Sequence, residues 1–146
     1  MLRSALLAAA LLACLLLAIA EFTDLNEIRI ITVTEEGVGV GSHHGYALLI
    51  IALASAVMAL GAYRGSRPAA FALAALGVAA LIVVLAVDLP DVDATGLYGR
   101  DYEQAESQAA IGFYLETAGA ILLLVAGVLT AVLGPSLQPK EQTDGR

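Results

Sequence analysis

Four apolar runs leave this chain few ways to fold. They are Leu2–Ala20, Tyr46–Tyr63, Ala69–Val87 and Phe113–Leu133. Each reaches or approaches the roughly 20 residues needed to cross a hydrocarbon core about 30 Å thick. None shows amphipathic periodicity, as befits helices that are apolar on every side. In lipid the backbone must satisfy its own hydrogen bonds, so a helical state is close to forced. Composition agrees: 60% of residues are hydrophobic, 14% are charged, and the mean hydropathy is +0.85. Soluble domains are typically about 45–50% apolar and about 25% charged. The sequence therefore predicts an all-α membrane protein, a four-transmembrane-helix bundle over residues 1–134. Its outer loops are 21–45 and 88–112, and a polar cytoplasmic tail follows at 135–146.

Charge placement orients the spans. Arg3, Arg64, Arg67, Lys140 and Arg146 fall on one side, whereas Arg29 and Arg100 fall on the other. By the positive-inside rule this sets both termini in the cytoplasm of a multi-pass plasma-membrane protein. Of the fourteen acidic residues, Glu141 and Asp144 lie in the tail and the other twelve lie outside or at the outer boundary. All eight aromatics (Tyr 5, Phe 3) sit in loops or near span ends, as an interfacial belt would have them. A rival reading takes Arg3, the first apolar run and Ala18-Ile19-Ala20 as a secretory signal peptide cleaved before Glu21. The run reaches full span length without a helix breaker, which favours a retained helix. Cys14 is the one cysteine, so an intramolecular disulfide and a CxxC site are both excluded.

The first outer loop is rich in β-branched residues over Ile28–Thr34 and in glycine over Gly37–Gly41. It predicts a small extracytoplasmic β-hairpin across 28–41, turning near Glu35-Glu36-Gly37. In the second loop Leu89-Pro90 predicts the end of the third helix, and Asp93-Ala94-Thr95-Gly96 a turn. Residues Asp101–Ile111 then read as a helix leading into the fourth span.

Four spans with β structure in the first outer loop are similar to claudins in architecture alone. The tryptophans and the outer cysteine pair of that family are missing here. The stretches Gly65-Ser66-Arg67-Pro68-Ala69-Ala70, Asp88-Leu89-Pro90-Asp91 and Gly112-Phe113-Tyr114-Leu115-Glu116 resemble uncharacterised four-span membrane proteins of high-GC actinobacteria. That resemblance implies a bacterial source and no particular activity.

Three constellations can carry chemistry. Asp91, Asp93, Thr95 and Gly96 match the first half of a calcium-binding loop, with Glu103 as a further ligand. The match lapses at the twelfth position, which is Tyr102, and an Asp-rich turn is the plainer reading. His43 and His44 adjoin the second span. Adjacent histidines diverge, so a shared transition metal needs a carboxylate from Asp88, Glu103 or Glu106; otherwise the pair caps a helix start. Glu116 is the acid that falls inside an apolar run. Intramembrane acids are functional candidates, yet its shallow depth near a positive helix end suits a structural role. No charge lies mid-span, which weighs against proton relays and coupled transporters. No phosphate loop, basic nucleic-acid patch or nucleophile constellation is present, so the chain reads as neither an enzyme nor a nucleic-acid binder. Beyond a weak extracytoplasmic cation, no cofactor is implied.

Small residues recur at four-residue spacing in Ala5/Ala9/Ala13, Ala126/Thr130/Gly134 and Gly61/Gly65, which allows close helix packing or self-association. The expectation is a non-catalytic accessory or interaction subunit with an acidic outer cap, its partners being the lipid bilayer and a membrane protein or a second copy. The alternative is a homo-oligomeric cation channel, with Ser55, Thr117 or Thr130 lining an axis.

Overall fold

A computed structural model describes residues 1–31 and 33–134. The tail with Lys140, Glu141, Asp144 and Arg146 lies outside the described residues. The elements are α1 (Leu2–Ala20), β1 (Asn26–Ile30), β2 (Val33–Glu36), α2 (Val40–His44), α3 (Ala47–Tyr63) and α4 (Arg67–Val83). A π-helical turn (Val84–Asp88) then leads to α5 (Leu89–Val92), α6 (Tyr98–Asp101), β3 (Ala105–Ala109) and α7 (Ile111–Leu133).

Three helical stretches are long and apolar enough to cross a membrane: Leu2–Ala20, Arg67–Val92 and Ile111–Leu133. The fourth apolar helix, Ala47–Tyr63, has 17 residues. It starts late because Gly45 and Tyr46 both adopt positive φ (63° and 60°) and break the chain away from α2. The four long helices form a ring in which α1 packs on α3 and α7, and α4 packs on the same two.

The inside of this ring is built from alanines around a few leucines, Leu17, Leu48, Leu73 and Leu123. Ala10, Ala13, Ala52, Ala59, Ala80, Ala120 and Ala126 are buried, while Ile50, Leu53, Val57, Phe71, Ile82, Ile121 and Val132 are exposed. Large apolar side chains on the outside invert the pattern of a water-soluble protein. Helices in lipid associate through close van der Waals packing, for which small residues serve best. Where α4 meets α7 the backbones nearly touch. A Cβ on Gly77 would lie 2.5 Å from Leu124 Cα, and one on Gly127 would lie 2.6 Å from Ala74 Cα. The buried stripe of α1 is Leu6, Ala10, Ala13, Cys14, Leu17 and Ala20. Ala5 is exposed, so the Ala5/Ala9/Ala13 row is not the packing stripe.

The third apolar helix does not stop at Leu89-Pro90 as the sequence predicts. In the π turn Leu89 N–H donates to Val84 O, five residues back, and helix continues to Val92. Pro90 thus falls in the first turn of α5, where a missing N–H leaves nothing unsatisfied. The widened turn carries Asp88 into the bundle, where it is fully buried. Single π turns of this kind recur at functional sites.

One end of the bundle is capped by a three-stranded antiparallel sheet in the order β2-β1-β3. The hairpin is present, but Ile30 pairs with Val33, so the chain reverses directly after Ile30 and not at Glu35–Gly37. The hairpin's second strand is Val33–Glu36 and not the glycine run, which continues the pairing beyond it through the Asp24–Gly39 bridge and the Leu25 N–H to Val38 O bond of 2.8 Å; Val40–His44 is helical. Residues 105–109, predicted as helix, form β3 instead and pair with the other edge of β1. Ala105, Ser107 and Ala109 turn half-buried toward the bundle while Glu106 and Gln108 face out. A two-stranded hairpin is marginal alone, and a third strand supplies the missing backbone partners. That non-local gain outweighs local helix propensity.

Asn26 fastens the cap. Its side chain, inside a residue only 2% exposed, donates to Asp91 O (3.3 Å), Ala94 O (3.3 Å) and Ser107 Oγ (3.1 Å). It also accepts from Val38 N–H at 2.9 Å. Ser107 Oγ in turn donates to Val92 O at 2.6 Å. The segment that follows the π turn is therefore held by the sheet above it. At the opposite end of the bundle, Arg3 donates to Tyr63 O and lies 5.6 Å over the Tyr63 ring.

Candidate metal centre

At the capped end of the bundle the helix ends deliver polar side chains to a common region beneath the sheet. Glu21 follows α1, His43 and His44 close α2 ahead of α3, Asp88 ends the π turn, and Glu116 sits in the second turn of α7. Glu21, Asp88 and Glu116 are 3%, 0% and 0% exposed. Carboxylates this deeply buried cost several kcal/mol each unless something compensates their charge.

Hydrogen bonds do not supply the compensation. Both oxygens of Asp88 and of Glu116, Glu21 Oε2 and both ring nitrogens of His44 are buried without a hydrogen-bond partner. Glu21 Oε1 is the exception, since it accepts Leu49 N–H at 2.9 Å. That bond caps the first turn of α3, whose own N-cap residue, Tyr46, supplies no side-chain bond.

The geometry around His44 is symmetrical. Its Nδ1 lies 3.8 Å from Glu21 Oε1 and its Nε2 lies 3.8 Å from Asp88 Oδ2. These separations exceed a hydrogen bond, which peaks near 2.9 Å. One ligand atom each from His44, Asp88 and Glu116 falls within 4.8 Å of the other two. Around a tetrahedral divalent metal with bonds of about 2.1 Å, ligand atoms stand about 3.4 Å apart. A contraction of roughly 1 Å by flexible side chains converts the observed cluster into that shell.

The donor set matches such an ion. One imidazole with carboxylate oxygens suits borderline divalent metals such as Zn²⁺, Fe²⁺ or Mn²⁺, and lacks the all-oxygen shell of calcium. With Nε2 on the metal, Nδ1–H points at Glu21, and a carboxylate there fixes the tautomer and orientation of a ligating histidine.

His43 reaches the same cluster from the next position of α2. Its Nε2 is 3.1 Å from Asp91 Oδ2 and 3.8 Å from Asp88 Oδ1. The two rings are inclined at 72° with centroids 6.2 Å apart. They diverge as adjacent histidines should, and Asp88 offers one oxygen to each.

The structure thus brings together His43, His44, Glu116 and Asp91 from among the residues singled out in the sequence. It does not gather Asp91, Asp93, Thr95 and Glu103. Asp91 turns to His43, Asp93 and Glu103 are exposed, and Thr95 is half-buried. Glu103 lies instead beside Arg29 and Glu106 on the outer rim of the sheet. Glu21 has no counterpart in the sequence reading, and Asp88 enters it only as a helper to the histidines. The available signal was positional, because every outer end of an apolar run carries an acid or a histidine within about one turn. The chain matches no known family model, no curated protein and no solved structure, so the chemistry of this site stands on its geometry alone.

Proposed function

We propose that this chain is a non-catalytic, four-span plasma-membrane protein with both termini inside, whose outer end binds one divalent transition-metal ion through His44, Asp88 and Glu116. The observation that carries the reading is the convergence of those three side chains, buried and without hydrogen bonds, within 4.8 Å of one another. The metal would tie α2, the π turn and α7 together beneath the sheet. Its occupancy would thereby set the shape of the acidic cap offered to a partner protein.

Four spans are supported by the ring packing of α3 with three membrane-length helices. A retained first helix is supported by its burial, with Ala13, Leu17 and Ala20 all inaccessible. Clustering of Arg3 with Arg67 and Ser66 around one inner-end pocket agrees with the inside assignment. The channel alternative gains little. Ser55 is enclosed within the bundle, and Thr117 and Thr130 donate to carbonyls of their own helix.

The test is elemental analysis of the full chain purified from membranes in mild detergent. About one equivalent of a transition metal should co-purify or be taken up after chelation, with Asp88→Asn and Glu116→Gln each abolishing it. Absence of stoichiometric uptake of Zn²⁺, Fe²⁺, Mn²⁺ or Co²⁺ would end the proposal.

A further inference from the structure

The buried centre has a graded approach from solvent. Side-chain exposure falls from 49% at Asp91 to 19% at His43, 7% at His44 and 0% at Asp88. A cleft of about 200 Å³ opens beside Asp91 and His43, bordered by Asn26, Ala94 and Gly96. One nitrogen, His43 Nε2, faces the outer carboxylate of Asp91 at 3.1 Å and the inner one of Asp88 at 3.8 Å. Asp88 then repeats the arrangement one step deeper. Its Oδ1 faces His43, and its Oδ2 faces His44 at the centre.

We infer that His43 and Asp91 form a second, outer cation site, through which a divalent transition metal is captured from the cleft and passed to Asp88. This inference rests on the metal-centre reading. A hydrated divalent ion cannot shed its water in one step without a large desolvation cost. Along this ladder of side chains each water would be exchanged for a protein ligand before the next is lost. The ion meets Asp91 and His43 first, bridges to Asp88 Oδ1, and then shifts to Asp88 Oδ2, His44 and Glu116. Asp88 holds it through the transfer, so the ion is never without a protein ligand. Ligand exchange here breaks and makes coordination bonds only, and needs no oxidant or reductant.

An outer capture site changes rates, whereas a ligand of the centre changes equilibrium affinity. The test is stopped-flow absorbance of Co²⁺ binding to the chelator-stripped full chain in detergent, followed by chelator-driven release. His43→Ala should slow loading and release by the same factor, about tenfold or more, the scale by which charge-focusing sites raise on-rates. The dissociation constant should stay within about threefold of the wild type. Asp91→Asn, at a half-exposed side chain where folding is least at risk, should slow both in the same direction.

Wild-type rates in both variants would overturn the inference. So would a weakened dissociation constant with loading unchanged, since His43 would then belong to the centre itself. Failure of the wild type to bind Co²⁺ at all would instead defeat the metal-centre reading, so the two failures are distinguishable.

Discussion

Replacing Asp88 by Asn tests the charge logic of the outer cluster most directly, because two opposite effects should appear in one protein. Without metal, Asp88 and Glu116 bring carboxylate oxygens within 4.8 Å of each other in a buried site. At an effective dielectric near 20, two unit charges at that distance would repel by up to about 3.5 kcal/mol, a ceiling that protonation of either buried acid lowers. Asp88→Asn removes this repulsion and one buried charge, so the chelated variant should melt above the chelated wild type. With metal, only the wild type gains. Ion present at about 100 times its dissociation constant stabilises the wild type by about 2.7 kcal/mol. On the scaling for domains of this size, that corresponds to a rise of about 5–10 °C. The Asn variant should show no metal-dependent rise. The assay is thermal unfolding in detergent, followed by circular dichroism, with and without chelator. A wild type indifferent to chelator would refute the reasoning. So would an Asn variant that melts below the chelated wild type, because Asp88 would then be an ordinary ion-pair partner of the histidines.

Three further outcomes follow from the packing and the topology. Asn26→Ala removes the four hydrogen bonds that join β1, β3 and the segment after the π turn; it should cost about 2–4 kcal/mol in thermal unfolding. Gly127→Leu forces a side chain toward the α4 backbone, where a Cβ already meets Ala74 at 2.6 Å. It should cost about 1–3 kcal/mol or more, while Val132→Leu on the exposed face should leave the melt unchanged. A reporter active only in the cytoplasm should give signal when fused after Arg146 and none when inserted at Gly96; equal signal at both would contradict the four-span arrangement.

The spans were legible because a 20-residue apolar run in lipid has a single solution for its backbone, and Leu2–Ala20 and Ile111–Leu133 fold as their composition dictates. Helix ends were less legible. Pro90 predicts a stop, and only the neighbouring π turn shows why the helix runs past it. The second loop failed for a different reason. The pentapeptide at 105–109 has no strong strand propensity, and its β conformation is imposed by the free edge of β1, about 80 residues away in sequence. For the site, Glu116 and the two histidines are visible as polar residues against apolar runs. Glu21 and Asp88 are hidden by their position, because an acid just beyond a span ordinarily faces water. Their burial depends on the sheet that covers them, and that sheet is itself the least local feature of the fold.

Glu21 provides the sharpest separation of structural and chemical roles, since one carboxylate performs two tasks. Its Oε1 accepts Leu49 N–H at 2.9 Å, and the same atom faces His44 Nδ1 at 3.8 Å. Glutamine keeps an oxygen acceptor for the helix cap but removes the negative charge that favours a Nδ1–H tautomer. Alanine removes both. Glu21→Gln removes a buried charge while keeping the cap, so it should melt no lower than the chelated wild type, yet bind metal about 10–100-fold more weakly, the usual cost of losing such an outer partner. Glu21→Ala should show the same loss of affinity and melt about 1 kcal/mol below Glu21→Gln, the typical value of an N-terminal cap. Because the two variants differ only at the cap, their difference in melting isolates it, and their shared loss of affinity isolates the histidine. Wild-type affinity in Glu21→Gln would show that Nδ1 takes its orientation from elsewhere, and that Glu21 serves α3 alone.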